Sequence, residues 1–305
     1  MICIYHFFFV ILQRILSKQK HMTIAIFGNA MKDNTLTEVS HILEFMSARG
    51  VNVVLSQELR QELRLREFPV YQEIPQEGDE PIDFAMSIGG DGTFLTTAAA
   101  VGCRDIPIIG INCGHLGFLA DVQTRDVDTI MKQLVEGLYT IEQRSLLKVC
   151  CERKDIIMSP YALNEIAIMK QGMSSMISVE VSANGEFLHT YHADGLVLST
   201  PTGSTAYNLS IGGPLLVPQT KGIILAPIAT HSLTVRPLVV PDDWKFDLKV
   251  NSRYQSYMLS IDGRSQILNT DVTLHVEKAP YTIKLVQVGE NSFLKSLRDK
   301  LNWGR

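Results

Sequence analysis

The sequence lacks a surplus of positive charge and a cysteine framework. Its 28 Lys and Arg residues face 32 Asp and Glu residues, a formal net charge of −4. It therefore carries no basic excess of the kind that binds nucleic acid. The five cysteines form no C-x-x-C pair, and a disulfide between the adjacent Cys150 and Cys151 would be strained. These absences favour a reduced, cytoplasmic compartment.

Metal-ligand spacing and membrane-spanning runs are missing as well. The eight histidines show no metal-ligand pattern, so we expect no metal held directly by protein side chains. The apolar N-terminal run MICIYHFFFVIL is shorter than the roughly 20 residues of a spanning helix, and basic residues follow it instead of preceding it as in a signal peptide. We expect no membrane partner. Residues 1–21 are predicted to be an extension upstream of the native start, outside the fold; a weak membrane-associating segment is the alternative.

Strand and helix patterns alternate from Met22 to about residue 120. TIAIFG, VNVVL, FAMSI and IPIIGIN are apolar strands, and Leu36, Val39, Leu43 and Met46 recur at helical spacing between the first two. A charged helical segment over 57–68 precedes an acidic loop over 72–83. Apolar strands that alternate with helices predict a parallel sheet covered on both faces.

From about residue 140 the pattern is almost purely β. Segments from TIEQRSLLKVCCE to YTIKLVQV are joined by turn signals such as Asn184-Gly185, and the closing NSFLKSLRDKLNWGR is helical again. We predict an α/β N-terminal domain with a Rossmann-like parallel sheet, and an all-β C-terminal domain. The first comprises 22–140 and a final helix that returns to it (281–305). The second comprises 141–280.

Two common nucleotide-binding motifs are absent. G-x-x-x-x-G-K-[ST] does not occur, which excludes a P-loop NTPase, and Leu95 occupies the third glycine position of G-x-G-x-x-G. The chain has SIGGDGTF (87–94) instead, in which a strand ends in glycines and a helix begins near Thr93. This arrangement suits phosphate. Asp91 within it would hold a metal on the phosphates or accept a proton from an attacking hydroxyl; a helix N-cap is the alternative.

Further polar and aromatic candidates lie after other strands. GINCGHLGFLAD (110–121) opens one βα unit after Asp91, and its Phe118 is either a base-stacking ring or a core aromatic. Asn164-Glu165 opens a β segment, where the two side chains suit a base and ribose hydroxyls unless the strand edge is merely solvated. The stretch 193–218 is rich in glycine and neutral hydroxyls, including Thr202 and Ser204. It is predicted to form the floor of a dinucleotide site.

In this order, GGDGT (89–93), NE (164–165), DGLVLSTPTGSTAYNLSIGGPLLVP (194–218) and HSLTVRPLVVP (231–241) resemble the NAD kinase family. The resemblance runs from about Met22 to the C terminus. GGDGT alone also occurs in lipid kinases of the diacylglycerol type and, in a related form, in phosphofructokinases. A lipid kinase would have no use for the 202–210 loop. A dinucleotide sensor without turnover would have no use for Asp91.

The resemblance implies transfer of the ATP γ-phosphoryl group to the 2′-hydroxyl of the adenosine ribose of NAD, with Mg²⁺ carried by ATP. It makes Asp91 the general base and Asp194 a residue near the nicotinamide that reaches across a subunit interface. It implies homodimers or homotetramers. The implied NAD-binding residues are Asp91, Gly92, Phe118, Asn164, Glu165, Asp194, Thr205, Ala206, Tyr207 and Ser210. The implied phosphate-binding residues are Gly89, Gly90, Gly92 and Thr93.

One departure from the family concerns the turn IDGRS (261–265). Arg264 stands where some relatives carry His. We expect this position to bear on the preference between NAD and NADH, or on inhibition by NADP.

Overall fold

The computed structural model describes residues 22–28, 33–63, 70–71, 81–114, 117–120, 122–123, 127–153, 157, 159–172, 176–289 and 293–302. The predicted extension 1–21 lies outside these residues. So do the second half of the helical segment 57–68 and most of the acidic loop 72–83.

The four strands predicted in the N-terminal region are confirmed, and two short strands are added. The strands are β1 (Thr23–Gly28), β2 (Asn52–Ser56), β3 (Val70–Tyr71), β4 (Phe84–Gly89), β5 (Ile108–Asn112) and β6 (Val122–Gln123). The helices are α1 (Asp33–Ser47), α2 (Gln57–Glu62), α3 (Asp91–Val101) and α4 (Val127–Val135).

These strands form a parallel sheet with a reversal of order. β1 pairs with β2 on one side and with β4 on the other, so the strand order is β3-β2-β1-β4-β5. Successive residues point to opposite faces. Ile24 and Ile26 pack with α1 and α4 on one face, and Ala25 and Phe27 pack with α3 on the other. Both faces are covered, which explains the continuous apolar strands.

The C-terminal region is built almost wholly from antiparallel strands. They are β7 (Thr140–Cys150), β8 (Tyr161–Ala162), β9 (Glu165–Lys170), β10 (Ile177–Ala183), β11 (Glu186–Ala193), β12 (Gly195–Ser199), β13 (Gly222–Ile228), β14 (Leu238–Pro241), β15 (Phe246–Asn251), β16 (Ser256–Ile261), β17 (Arg264–Asn269) and β18 (Thr273–Gln287). The helical elements are a 3₁₀ turn (Thr202–Thr205), α5 (Tyr207–Ser210) and the final helix α6 (Phe293–Leu301).

One long strand joins the two regions into a single 12-stranded sheet. β18 pairs antiparallel with β7 and β15, and its Leu285 pairs parallel with Ile108 of β5. A separate six-stranded sheet, in the order β14-β13-β12-β9-β16-β17, faces the large one. Buried side chains of both sheets, such as Leu248 and Leu196, share one core cluster. The C-terminal region is therefore a sandwich whose larger sheet continues into the N-terminal region.

The segment EFLHTYHADGLVLST (186–200) has the pattern of one β stretch, but it divides between the two sheets. β11 belongs to the large sheet and β12 to the small one, and the chain crosses at Asp194. A candidate site residue therefore stands at the point where the two sheets exchange the chain. Within the parts of the chain that the structure describes, no helix has the length and apolar character needed to span a bilayer.

Candidate active site

The glycine turn after β4 forms an open cradle. β4 ends at Gly89, Gly90 is the N-cap of α3, and the helix begins at Asp91. This turn lies where strand order reverses between β1 and β4, which is where sheets of this type bind ligands. A Cβ on Gly90 or Gly92 would meet no heavy atom within 4 Å. The first-turn N–H groups, which include that of Thr93, have no partner inside the helix, so the open space beside them suits an anion.

The Asp91 carboxylate is fixed by three consecutive backbone amides. The N–H of Phe118 donates to Oδ2 at 2.8 Å, and those of Leu119 and Ala120 donate to Oδ1 at 3.0 and 3.1 Å. Two carboxylate oxygens offer about four acceptor positions. The remaining position is therefore on Oδ2, where a hydroxyl of a ligand can donate. Asp91 does not make an N-cap bond from within α3, since the N-cap is Gly90.

Gly117 allows the amides to reach this carboxylate. A Cβ at Gly117 would overlap Oδ1 of Asp91. The Gly117 backbone thus passes directly against the Asp91 side chain, and only glycine fits there without displacing one of them. This close approach explains the last glycine of the GINCGHLG motif.

Asn164 and Glu165 are held from behind by a second aspartate. Oδ2 of Asp262 accepts the N–H of Leu163 at 2.7 Å, and Oδ1 accepts those of Asn164 and Glu165 at 2.8 and 3.1 Å. Both held side chains are buried, at 7% and 9% exposure. The start of β9 is therefore fixed as rigidly as the loop at Asp91.

Glu165 is a buried carboxyl group, and one of its oxygens, Oε2, lacks a hydrogen-bond donor among the described residues. Burial, and next the charge of Asp262, raises the pKa of Glu165 from 4.5 to about 7, against a smaller opposing effect of the Tyr207 backbone N–H. Burial also raises the pKa of Asp262, while its three amides and Arg264 act in the opposite direction. A ligand hydroxyl would supply the donor that Glu165 lacks.

The hydroxyl-rich loop faces inward more than the sequence predicted. The Thr202 hydroxyl is buried and lies 3.4 Å from Arg144, and the Ser204 hydroxyl bonds both the carbonyl and the N–H of Leu216. Both hydroxyls are engaged within the protein: Thr202 accepts from a side chain, and Ser204 bonds backbone groups that burial would otherwise leave unpaired. The interpretation of this part of the loop as the floor of a dinucleotide site stays a prediction.

The second half of the loop is more accessible. Thr205, Ala206 and Tyr207 are half-buried, and Ser210 is exposed. Burial raises the pKa of Tyr207, and the charges of Glu165 and Asp194 raise it further. Tyr207 is therefore close to both carboxyl groups. The structure brings this part of the loop together with Glu165 and Asp194.

Asp194 is held by a cation. Its Oδ1 lies 2.7 Å from Nζ of Lys170, the last residue of β9, and both side chains are partly exposed. Glu165 is the first residue of β9, and Asp194 contacts the last one, Lys170. Tyr207 is close to both carboxyl groups.

Phe118 contributes through its backbone and packs its ring on the final helix. The ring centroid lies 6.3 Å from that of Phe293, and Nζ of Lys300 lies 4.2 Å from the Phe118 centroid. These contacts bring α6 back to the N-terminal region. The ring is half-buried, and its stacking on a base stays a prediction.

The two aspartate-held segments meet across a shared core. Phe94 and Leu119, next to the Asp91 contacts, belong to the same buried cluster as Leu163, which precedes Asn164. A cavity of about 370 Å³ borders this junction, and Leu95, Leu163 and Asp262 are among its lining residues. The segments next to the glycine turn and to the Asn-Glu pair therefore pack on one buried core.

Sequence reasoning missed several residues of this site. Asp262, Gly117 and Lys170 are the main ones, and Arg144 supports the loop from β7. Asp262-Gly263 forms a two-residue hairpin turn between β16 and β17, with φ of 48° and 80°. An Asp-Gly pair is typical of a turn, and nothing in its pattern predicts a contact about a hundred residues away.

Comparisons with known proteins agree with this geometry. Residues 24–139 match the ATP-NAD kinase N-terminal domain and residues 163–288 the ATP-NAD kinase C-terminal domain. An NAD kinase of Bacteroides fragilis is 42% identical over 287 residues, covering 93% of this chain and 98% of its own length. One of Flavobacterium psychrophilum is 39% identical over 293 residues, with coverage of 93% and 98%.

Solved structures extend the likeness to the fold. Yeast NADH kinase complexed with NADH superposes with a TM-score of 0.82 at 25% identity, covering 94% of this chain and 89% of that one. An NAD kinase from Archaeoglobus fulgidus in complex with ATP gives 0.71 at 26% identity, with coverage of 92% and 98%. Both domain families match in chain order, the relatives align over nearly their whole length, and the chain therefore belongs to the NAD kinase family.

Proposed function

We propose that this protein transfers the γ-phosphoryl group of ATP to the 2′-hydroxyl of the adenosine ribose of NAD, giving NADP and ADP. Membership of the NAD kinase family implies this reaction. The observation that carries it to particular residues is the Asp91 carboxylate, fixed by three amides beside the open glycine turn with one acceptor position left on Oδ2.

Asp91 is the proposed general base. The ribose hydroxyl donates to the remaining position on Oδ2, and its proton passes to the carboxylate as the oxygen forms its bond to phosphorus. The bond from phosphorus to the β,γ-bridging oxygen breaks, and ADP leaves. Proton transfer of this kind contributes about 10²–10⁴ in rate. Because three amides fix the carboxylate, no reorganisation is needed when the hydroxyl arrives.

The Asn-Glu pair and the Tyr207 loop are proposed to bind NAD. Oε2 of Glu165 lacks a donor that a ribose hydroxyl can supply, and the Asn164 amide can both donate and accept. Tyr207, with Thr205, Ala206 and Ser210, forms the more accessible side of the same loop. Asp194 is proposed to lie toward the nicotinamide end.

The ATP phosphates are proposed to lie against Gly89, Gly90, Gly92 and Thr93, with Mg²⁺ arriving as part of the ATP complex. Among the described residues, no three His, Cys, Asp or Glu side chains are grouped to hold a metal ion. Mg²⁺ neutralises phosphate charge during transfer. The open space beside Gly90 and Gly92 accommodates phosphates at the start of α3. Homo-oligomerisation and a cytoplasmic location stay predictions of the sequence.

An initial-rate assay with ATP, Mg²⁺ and NAD, coupled to an NADP-specific dehydrogenase, tests the reaction. We expect NADP formation that requires Mg²⁺. Asp91→Asn should lower kcat by about 10²–10⁴ while NAD binding, followed by calorimetry, persists. NAD binding without NADP formation by the wild-type protein would favour a sensor. If the wild-type protein neither bound NAD nor formed NADP, a lipid kinase would be favoured. Full turnover by Asp91→Asn would show that Asp91 is not the general base.

A further inference from the structure

The Asp262 side chain has no assigned part in the reaction, yet it contacts the backbone of both residues of the Asn-Glu pair. It lies in the turn between β16 and β17 and accepts N–H groups from Leu163, Asn164 and Glu165. In return, its own N–H donates to the Glu165 carbonyl at 3.1 Å. Four hydrogen bonds thus fix the turn against the start of β9.

Asp262 also places a second carboxylate beside a buried one. Glu165 is 9% exposed and its Oε2 has no partner among the described residues. The groups that face this pair are the Tyr207 backbone and ring from α5, Asp194 next to Tyr207, and Arg264 beside Asp262. Lys170 is engaged by Asp194 at 2.7 Å. No described cation pairs directly with the Glu165 carboxylate.

We propose that Asp262 is a positioning residue for the dinucleotide: it fixes the backbone of Asn164 and Glu165 so that Oε2 of Glu165 can accept a hydroxyl of NAD, and this binding is coupled to the loss of a proton from Glu165. The proposal rests on the proposed function, in which NAD binds at this pair. A ribose hydroxyl that donates to Glu165 stabilises the ionised form, because a hydrogen bond to a charged group favours that group's charge. Binding of NAD therefore expels a proton.

This arrangement matters for the protonation of Glu165 before NAD binds. An ionised Glu165 whose Oε2 lacks a donor would be a poorly compensated buried charge. Burial, and next the charge of Asp262, raises the pKa of Glu165 to about 7, so the carboxyl is partly protonated near neutral pH. The incoming ligand then exchanges a proton for a hydrogen bond, and the affinity for NAD rises as pH increases through this range.

The first test uses the full-length wild-type chain and needs no variant. NAD binding is measured by calorimetry at pH 7 in two buffers with different ionisation enthalpies, which reports the number of protons released. We expect release of a fraction of a proton, because a carboxyl with a raised pKa is partly protonated at this pH. Glu165→Gln should abolish the release. Absence of release from the wild-type protein overturns the coupling between NAD binding and the Glu165 proton.

The second test removes the charge of Asp262. In Asp262→Asn, the amide oxygen can keep two of the three N–H bonds, whereas the amide nitrogen would face the Leu163 N–H. We expect the Kd for NAD to rise about tenfold for the lost bond. We also expect the pH at which NAD affinity changes to fall, because the neighbouring negative charge is gone. The matched control is Asp271→Asn, an equal change of charge at an exposed residue paired with Arg153.

The outcomes separate positioning from a merely structural role. A variant that only loosens the fold would lower the melting temperature without moving the pH dependence, and that result overturns the proposal. Unchanged Kd and unchanged pH dependence overturn it equally. If Asp262→Asn does not fold, the wild-type and Glu165→Gln proton counts still decide whether NAD binding is coupled to the Glu165 proton. Failure of NADP formation would contradict the proposed reaction, but the binding measurements would still report on Asp262.

Discussion

Two Asp-Gly pairs in this protein make the same hydrogen-bond pattern in different surroundings. Asp91 and Asp262 each accept three consecutive backbone N–H groups, the first on Oδ2 and the next two on Oδ1. One begins a helix after a parallel strand; the other lies in a hairpin turn of the small sheet. The same motif thus fixes a loop near the proposed phosphate site and a strand start near the proposed NAD site.

The difference lies in what stands beside each carboxylate. Asp91 borders the open space of the glycine turn, where a substrate can approach its remaining acceptor position. Asp262 is packed behind the Asn-Glu pair, where burial raises its own pKa and where its charge raises that of Glu165. An amide-bound aspartate exposed to a ligand is suited to chemistry. The same group behind a buried carboxyl is suited to positioning and to the control of charge.

The largest expected effect concerns stability at the buried pair. Because the pKa of Glu165 is raised from 4.5 to about 7, the folded protein holds this proton more tightly than the unfolded chain. The resulting stabilisation is fully present below pH 4.5 and is lost as pH rises through about 7. For Glu165→Gln, the gain in unfolding free energy relative to wild type should grow by about 3 kcal/mol between pH 4.5 and 8.

Urea denaturation at both pH values measures this change. Glu180→Gln serves as the control because Glu180 is exposed on β10, and it should show no such pH dependence. An equal difference between wild type and Glu165→Gln at both pH values would mean that folding does not raise the pKa of Glu165.

The next effect breaks the Asp91 contacts alone. In Gly117→Ala the new Cβ overlaps the Asp91 carboxylate, so the loop or the carboxylate must move. A displacement of about 1 Å at the reacting group costs about a hundredfold in rate, and we expect a fall in kcat of that size with NAD affinity retained. Gly114→Ala in the same loop is the matched control, since its Cβ would meet nothing within 4 Å. Equal kcat values in the two variants would contradict the role of the amides.

Gly203→Ala makes the corresponding change near the Asp262 contacts. The new Cβ would overlap the backbone carbonyl of Asn164, which cannot yield as a flexible side chain would. We expect a rise of about tenfold in the KM for NAD, the size of one lost interaction with the ligand, and a smaller change in kcat. Steady-state kinetics with NAD varied at saturating ATP separates the two constants. A loss confined to kcat would mean that the Tyr207 loop supports the chemical step at Asp91 and not NAD binding.

Local sequence pattern predicted much of the fold but not its joining element. The strands β1, β2, β4 and β5 follow from apolar runs between helical patterns, and the Asn184-Gly185 hairpin follows from its turn residues. The shared sheet does not, because the pairing of Leu285 with Ile108 joins positions far apart in the chain. Periodicity identifies a strand but carries no information about its distant neighbours.

The site shows the same limit. Residue chemistry and the family resemblance indicated Asp91, the Asn-Glu pair and the Tyr207 loop. The residues that hold these groups could not be predicted, because they lie far away in the chain and approach only in the folded protein. Asp262 looks like a turn residue and Gly117 like one glycine among several. Thr202 and Ser204 were assigned to ligand contact because hydroxyls suit sugars, whereas the buried loop uses them internally. The sequence thus indicated the candidate reactive and binding residues better than the residues that hold them in place.

The smallest effect tests a third carboxylate, which a cation holds instead of amides. Asp194 pairs with Lys170 at 2.7 Å, and both side chains are partly exposed. Exposed pairs contribute about 0–1 kcal/mol, so Lys170→Met should raise the KM for NAD by only about threefold. The effect should shrink at high ionic strength, since salt screens such pairs. The losses in Gly117→Ala and Gly203→Ala come from displaced backbone and should persist there. If the Lys170→Met effect also persisted at high salt, Lys170 would act through packing, and the distinction between amide-held and cation-held carboxylates would not extend to Asp194.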